Sequence, residues 1–132
     1  MTYAGPAPSL ADIEALARRA FEGLPEPFRK AAGEVVFHVE DFADEETLDA
    51  LEIEDPFELT GLYQGVDLRR RSVADPTPDV SRVFLYRRPI LDEWAERGDV
   101  TLEALVQHVV VHETGHHFGL SDADIEAIEA GD

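Results

Sequence analysis

The segment from Thr101 to His117 most constrains how this chain can fold. It contains no proline and no glycine before Gly115, and Thr101 is a residue type that caps helices at their first turn. The sequence therefore predicts a helix here. Apolar residues cover much of its circumference, as expected for a helix in the centre of a domain. They are Leu102, Ala104, Leu105, Val106, Val109, Val110 and Val111.

The end of this predicted helix carries the pattern His-Glu-x-x-His. His112 and His116 are four residues apart, so they share one helical face and both imidazoles can reach a single ion. Glu113 lies about 100° further round the axis, where it can act as a general base on a metal-bound water without ligating. The alternative is a buried helix whose histidines are ordinary core residues.

A catalytic zinc takes three protein ligands and keeps a fourth position for water, so one ligand is still needed. Gly119 can end the helix and reverse the chain, and Asp122 would then supply a carboxylate beneath the metal. Asp122 has an alternative role at the start of a helix. Ser121 can cap a last short helix, and an acidic residue in the first turn of that helix is favoured with no metal present.

The residues HETGHHFGLSD, from His112 to Asp122, resemble the signature HExxHxxGxxD of the small zincin-like metallopeptidases, also called minimal metalloproteases. The similarity extends over roughly residues 34–129, including the segments 61–65, 71–72, 78–79 and 83–91. The resemblance implies a zincin-like fold and hydrolysis of peptide bonds. It also implies one zinc ion per chain, bound by His112, His116 and Asp122, with Glu113 as the catalytic base.

The predicted site also resembles that of metzincins, in which the third ligand is usually a histidine. Metzincins have a methionine turn below the metal, whereas the only methionine here is Met1. That element of the metzincin site is therefore absent from this chain.

Hydrophobic periodicity and capping residues predict an α+β domain over residues 9–132, preceded by a loose segment over residues 1–8. Its small mixed sheet packs against the motif helix. The predicted helices are Ser9 to Gly23, Asp44 to Leu51, Arg88 to about Arg97 and Thr101 to His117, and the predicted strands are Glu34 to Glu40, Gly61 to Val66 and Ser81 to Arg87.

One of these strands is a candidate for binding an extended peptide substrate. In zincins the strand nearest the metal pairs with the substrate backbone, and glycines beside an aromatic residue permit close backbone approach. The candidate substrate-binding residues are Gly61, Leu62, Tyr63, Gln64 and Gly65. An ordinary edge strand or turn is the alternative.

Hydrolysis also calls for a group that stabilises the developing oxyanion. Tyr63, Tyr86, His38 and His117 are candidates, and each has an alternative as a packing or surface residue. His108 precedes His112 by one helical turn. It could bind the metal if His116 did not, but we expect it to be a hydrogen-bonded structural histidine where the helix enters the core.

The acidic composition narrows the possible partners. The chain has 29 acidic and 11 basic residues among 132, a net charge of −18, which repels nucleic acids and anionic membranes. It has no cysteine, and Met1 to Leu10 shows no secretory signal. We therefore expect a cytoplasmic monomer acting on a peptide or protein substrate.

Two other functions remain open from the sequence. The first is a non-catalytic interaction module with a structural metal. The second is a metal-dependent RNA endonuclease, for which Arg69 to Arg71 is the only compact basic patch, although another reading of that patch is a solvated turn.

Overall fold

A computed structural model describes residues 7–26, 29–30, 34–64 and 80–117, together with Ala123 and Ala127, and without the side chains of Val80, His116 and His117. Four helices and three strands lie in these ranges. They are α1 (Leu10–Glu22), β1 (Glu34–Glu40), α2 (Glu45–Ala50), β2 (Gly61–Gln64), β3 (Val80–Tyr86), α3 (Arg87–Arg97) and α4 (Leu102–His117), with a 3-10 turn at Pro56–Glu58. The predicted α+β class is confirmed.

The capping residues predicted from the sequence begin the two helices that build the core. The Ser9 hydroxyl accepts a hydrogen bond from the Asp12 amide at 3.1 Å, and the Asp12 carboxylate accepts one from the Ser9 amide at 2.9 Å. At the start of α4 the Thr101 hydroxyl accepts from the Ala104 amide at 3.0 Å. These bonds satisfy amides that have no partner within the helix.

The sheet is mixed, with the strand order β1-β3-β2. β1 runs parallel to β3 in a register that pairs His38 with Phe84. β2 runs antiparallel to β3 and pairs Gly61 with Leu85. β2 is therefore an edge strand among the described residues, with β3 on one side only.

Helices α1 and α4 pack together on one face of the sheet and form the main core. Successive residues of a strand point to opposite faces, so Val83 and Leu85 face the helices whereas Phe84 and Tyr86 face the other way. This core contains Ile13, Ala17, Phe37, Val83, Leu85, Ile90, Leu105, Val106, Val109 and Val110.

The opposite face of the sheet is partly covered by α2 and the segment that follows it. Leu48 and Ala43 pack with Tyr86, and Ile53, Leu59, Leu62 and Phe84 surround them. The helix α2 begins at Asp44, whose carboxylate accepts a hydrogen bond from the Thr47 amide at 2.7 Å. Hydrogen bonding by the Thr47 side chain, and then by its amide, lowers the pKa of Asp44.

The ends of the predicted elements agree with the structure to within a few residues. The clearest difference is Arg87, which was predicted to end a strand and instead begins α3. Its guanidinium donates to the Pro8 carbonyl at 2.6 Å and to the Asp41 carboxylate at 3.1 Å. Within the described ranges, no helix is both long and apolar enough to cross a membrane.

Candidate metal centre

The predicted metal-binding motif lies at the C-terminal end of α4, which confirms the helical setting that the motif requires. One side of this end of the helix is buried, through Val109, Val110, Val111, Thr114 and Gly115. His112 and Glu113 are half-buried on the flank of that stripe. The packed side therefore holds the helix against the core while the side chains of His112 and Glu113 remain reachable from solvent.

The predicted ligands are only partly covered by the structure. The backbone of His116 is helical and lies four residues after His112, so both residues share one face of α4. The side chain of His116, and all of Gly119 and Asp122, lie outside the described residues. Within the described part of the chain, no three or more potential ligands converge. The ligand set of His112, His116 and Asp122 therefore stays a prediction.

Of the predicted ligands only His112 has a described side chain, and its imidazole is a donor that zinc binds in proteins. Imidazole and carboxylate groups are ligands that zinc binds in proteins, and half-exposure of His112 and Glu113 leaves access for the ion and for water. The segment of α4, from Leu102 to His117, has no lysine or arginine that would repel a cation. The buried stripe behind the motif fixes the backbone from which the ligands project.

Strand β2 lies directly against α4 because Gly61 has no side chain. A Cβ atom at Gly61 would lie 2.7 Å from the Val109 Cγ1 and 3.2 Å from the Phe84 carbonyl oxygen. Only glycine permits this approach of strand and helix. Among the described residues this segment is an edge strand, and its role in substrate binding stays a prediction.

The candidate substrate-binding residues lie along this strand, with one exception. Gly61 is buried, Leu62 and Tyr63 are half-buried and Gln64 is exposed, whereas Gly65 lies outside the described residues. Gly61 and Tyr63 face α4, since they pair with Leu85 and Val83 of the core face. Leu62 faces the opposite side and packs with Phe84.

The sheet separates the candidates for oxyanion stabilisation. Tyr63 packs against the core that contains α4. His38 and Tyr86 lie on the opposite face, so the sheet stands between them and the motif helix. His38 stacks on Phe84 with ring centroids 4.8 Å apart, and its Nε2 accepts a hydrogen bond from Arg82 Nη1 at 3.0 Å.

Burial raises the pKa of Tyr86 to about 12, with further contributions from Glu40 and Asp44. Its phenol therefore holds its proton more firmly than an exposed tyrosine, and Tyr86 is a packing residue of the second face. His117, the fourth candidate, has its side chain outside the described residues.

Two further features lie near the motif. His108 is half-buried, and its ring centroid lies 5.3 Å from that of His112; its expected role as a hydrogen-bonded structural histidine stays a prediction. The repeat of histidines at positions 108, 112 and 116 is the sequence signal for this contact. Thr114 is 2% exposed, and its hydroxyl has no hydrogen-bond partner among the described residues. No sequence pattern indicates the burial of this hydroxyl.

Comparison with known proteins agrees with the fold. No curated protein matches the chain. The family model of the zincin-like metallopeptidases matches residues 32–132, which include the whole sheet, α4 and the predicted ligands. The match extends over most of the chain, and the three-stranded mixed sheet packed on a motif helix is consistent with that family. The chain therefore belongs to the zincin-like metallopeptidase family.

Proposed function

We propose that this protein is a zinc-dependent peptidase that hydrolyses peptide bonds with a water molecule activated by Glu113. The observation that carries the proposal is the HExxH motif on α4, with His112 and Glu113 half-exposed beside an edge strand. Membership of the zincin-like metallopeptidase family supports it. His112, His116 and Asp122 would hold the zinc.

Zinc, when bound, supplies a Lewis acid that makes water more acidic and polarises a carbonyl oxygen. The carboxylate of Glu113 accepts a proton from the attacking water. It then donates that proton to the amide nitrogen as the peptide bond breaks, so Glu113 ends the reaction as it began, ionised. The half-buried position of Glu113 leaves it open to water from one side.

The strand β2 would orient the substrate. Among the described residues β2 pairs with β3 along one edge, and we propose that an extended peptide pairs with the other edge. Gly61 brings this strand against α4, the helix that carries Glu113. A peptide paired with residues 61–65 would therefore run alongside the motif helix, which is the arrangement that a peptidase needs.

The charge of the chain bears on the other proposed properties. A net charge of −18 opposes binding to nucleic acid and to anionic membranes, so we propose a peptide or protein as substrate. We also propose that the protein is a cytoplasmic monomer. The basic patch at 69–71 lies outside the described residues, and nothing in the described part of the chain favours an RNA endonuclease.

The test compares the wild-type protein with the variants Glu113→Gln and Glu103→Gln. Each is loaded with zinc, its metal content is measured, and cleavage of a peptide library is followed by mass spectrometry. We expect Glu113→Gln to retain zinc and to lose activity by about 100-fold or more, because it removes the general base. Glu103→Gln is the matched control, since Glu103 is an exposed residue in the first turn of the same helix.

Two outcomes would contradict the proposal. Unchanged cleavage by Glu113→Gln would show that the activity does not come from this motif. Zinc-loaded wild-type protein with no cleavage, and with four protein ligands on the metal, would instead identify a structural metal in an interaction module.

A further inference from the structure

The histidines of α4 form a column that begins one turn before the zincin motif. His108, His112 and His116 recur every four residues, so their positions share one flank of the helix. His108 and His112 are half-buried. Both of these rings are therefore accessible to an ion from solvent, while the opposite side of the helix is packed in the core.

The spacing of the His108 and His112 rings is that of two imidazoles on one ion. Their centroids lie 5.3 Å apart, with ring planes inclined at 36°. With Zn–N distances of about 2.0 Å and tetrahedral angles, two imidazole centroids on one ion are roughly 5 Å apart. The centroid separation therefore allows both rings to bind one ion when a nitrogen atom of each ring is turned towards it.

The charges carried by α4 itself favour a cation at this position. α4 has no lysine or arginine, and Glu113 follows His112 directly in the chain. Imidazole nitrogens suit Zn²⁺, Ni²⁺ and especially Cu²⁺, which heads the affinity order of the divalent first-row metals. Since the described residues contain no third convergent ligand, water would complete the coordination shell.

From the ring spacing, the accessibility and the charge, we propose that His108 and His112 form a second binding site for a divalent transition-metal ion. This site differs from the predicted zinc site, which uses His112 with His116 and Asp122. The two sites share one ring, and a neutral imidazole has a single nitrogen lone pair for a metal. Occupation of one site therefore excludes the other, and excess metal held by His108 and His112 would withdraw His112 from the zinc site.

The test measures Cu²⁺ binding in a background that lacks the motif pair. The variant His116→Gln removes one imidazole of the predicted zinc site and leaves His108 and His112 in place. We expect it to bind a single Cu²⁺ ion, with electron paramagnetic resonance showing two nitrogen ligands. Adding His108→Gln should weaken binding on the order of 10- to 100-fold, because the second imidazole no longer acts intramolecularly.

The matched control adds His38→Gln to His116→Gln. His38 is a half-buried histidine on the opposite face of the sheet, so its loss should leave Cu²⁺ affinity unchanged. Equal affinity in the His116→Gln protein with and without His108 would overturn the proposal. None of these measurements needs a substrate, so failure of the peptidase proposal would be seen separately.

A second measurement uses the wild-type chain and does not depend on the folding of His116→Gln. In the presence of dioxygen, copper with ascorbate as reductant oxidises the histidines that coordinate it, and the modified residues can be located by mass spectrometry. With excess Cu²⁺, we expect His108 to be oxidised faster than His38. Equally slow oxidation of both residues would exclude the site in the native chain.

Discussion

The contact between β2 and α4 can be tested by adding one methyl group at Gly61. In Gly61→Ala, the new Cβ would lie 2.7 Å from the Val109 Cγ1, which is 0.7 Å closer than the 3.4 Å at which ordinary contact begins. Val109 is 5% exposed, and its branched side chain has essentially one rotamer in a helix. The Phe84 carbonyl at 3.2 Å restricts movement in the other direction.

Overpacking of this kind costs about 1–3 kcal/mol of unfolding free energy. For a chain of this length, each kcal/mol lowers the Tm by about 3–4 °C. Thermal and urea unfolding of the metal-free protein would measure the effect, because bound metal would add its own stabilisation. The same substitution should reduce peptidase activity, since it moves the proposed substrate-binding strand away from α4.

Two further variants complete the experiment. In Gly23→Ala the nearest atoms are backbone oxygens at 3.5 and 3.6 Å, and the φ angle of −81° suits alanine, so we expect no loss of stability. Val109→Ala removes the clashing methyl group. The double variant, Gly61→Ala with Val109→Ala, should lose less free energy of unfolding than the sum of the losses in the two single variants. Equal stability of Gly61→Ala and Gly23→Ala would refute the assigned strand and helix contact.

Two predictions concern buried hydroxyl groups. Thr114→Val keeps the side-chain shape and removes a buried hydroxyl with no partner in the described chain, so the free energy of unfolding should rise by about 1 kcal/mol in urea unfolding. A loss of stability would show that the hydroxyl has a partner. Because the pKa of Tyr86 is raised from about 10 when unfolded to about 12 when folded, the unfolded state ionises first as pH rises. The stabilisation of the folded state that comes from the raised pKa of Tyr86 is complete below pH 10 and is lost between about pH 10 and 12. The difference in ultraviolet absorbance between wild type and Tyr86→Phe, followed as pH rises, should show a phenol that ionises near pH 12. A midpoint near pH 10 would contradict the raised pKa of Tyr86.

Local signals in the sequence were sufficient for most elements of the fold. Ser9 and Thr101 mark the starts of α1 and α4, and β1 occupies the same residues, Glu34–Glu40, in prediction and structure. These elements follow from capping chemistry and short-range periodicity, which act over a few residues. The boundary between β3 and α3 differs at Arg87, whose bonds to Pro8 and Asp41 come from distant parts of the chain.

The face of the sheet that meets the helices was decided only in the tertiary structure. Both faces of β3 are apolar, through Val83 and Leu85 on one side and Phe84 and Tyr86 on the other, so alternation did not indicate which face meets the helices. Packing of α1 and α4 on the first face places His38 and Tyr86 away from the motif and Tyr63 towards its helix.

The sequence by itself determined the chemistry of the predicted site, because the spacing of His112, Glu113 and His116 needs only a helix to place them on neighbouring faces. The tertiary structure decided what surrounds those residues. It set the half-exposure of His112 and Glu113 and the approach of β2 through Gly61. These depend on how deeply α4 is packed against other elements, which is a long-range property that no local pattern encodes.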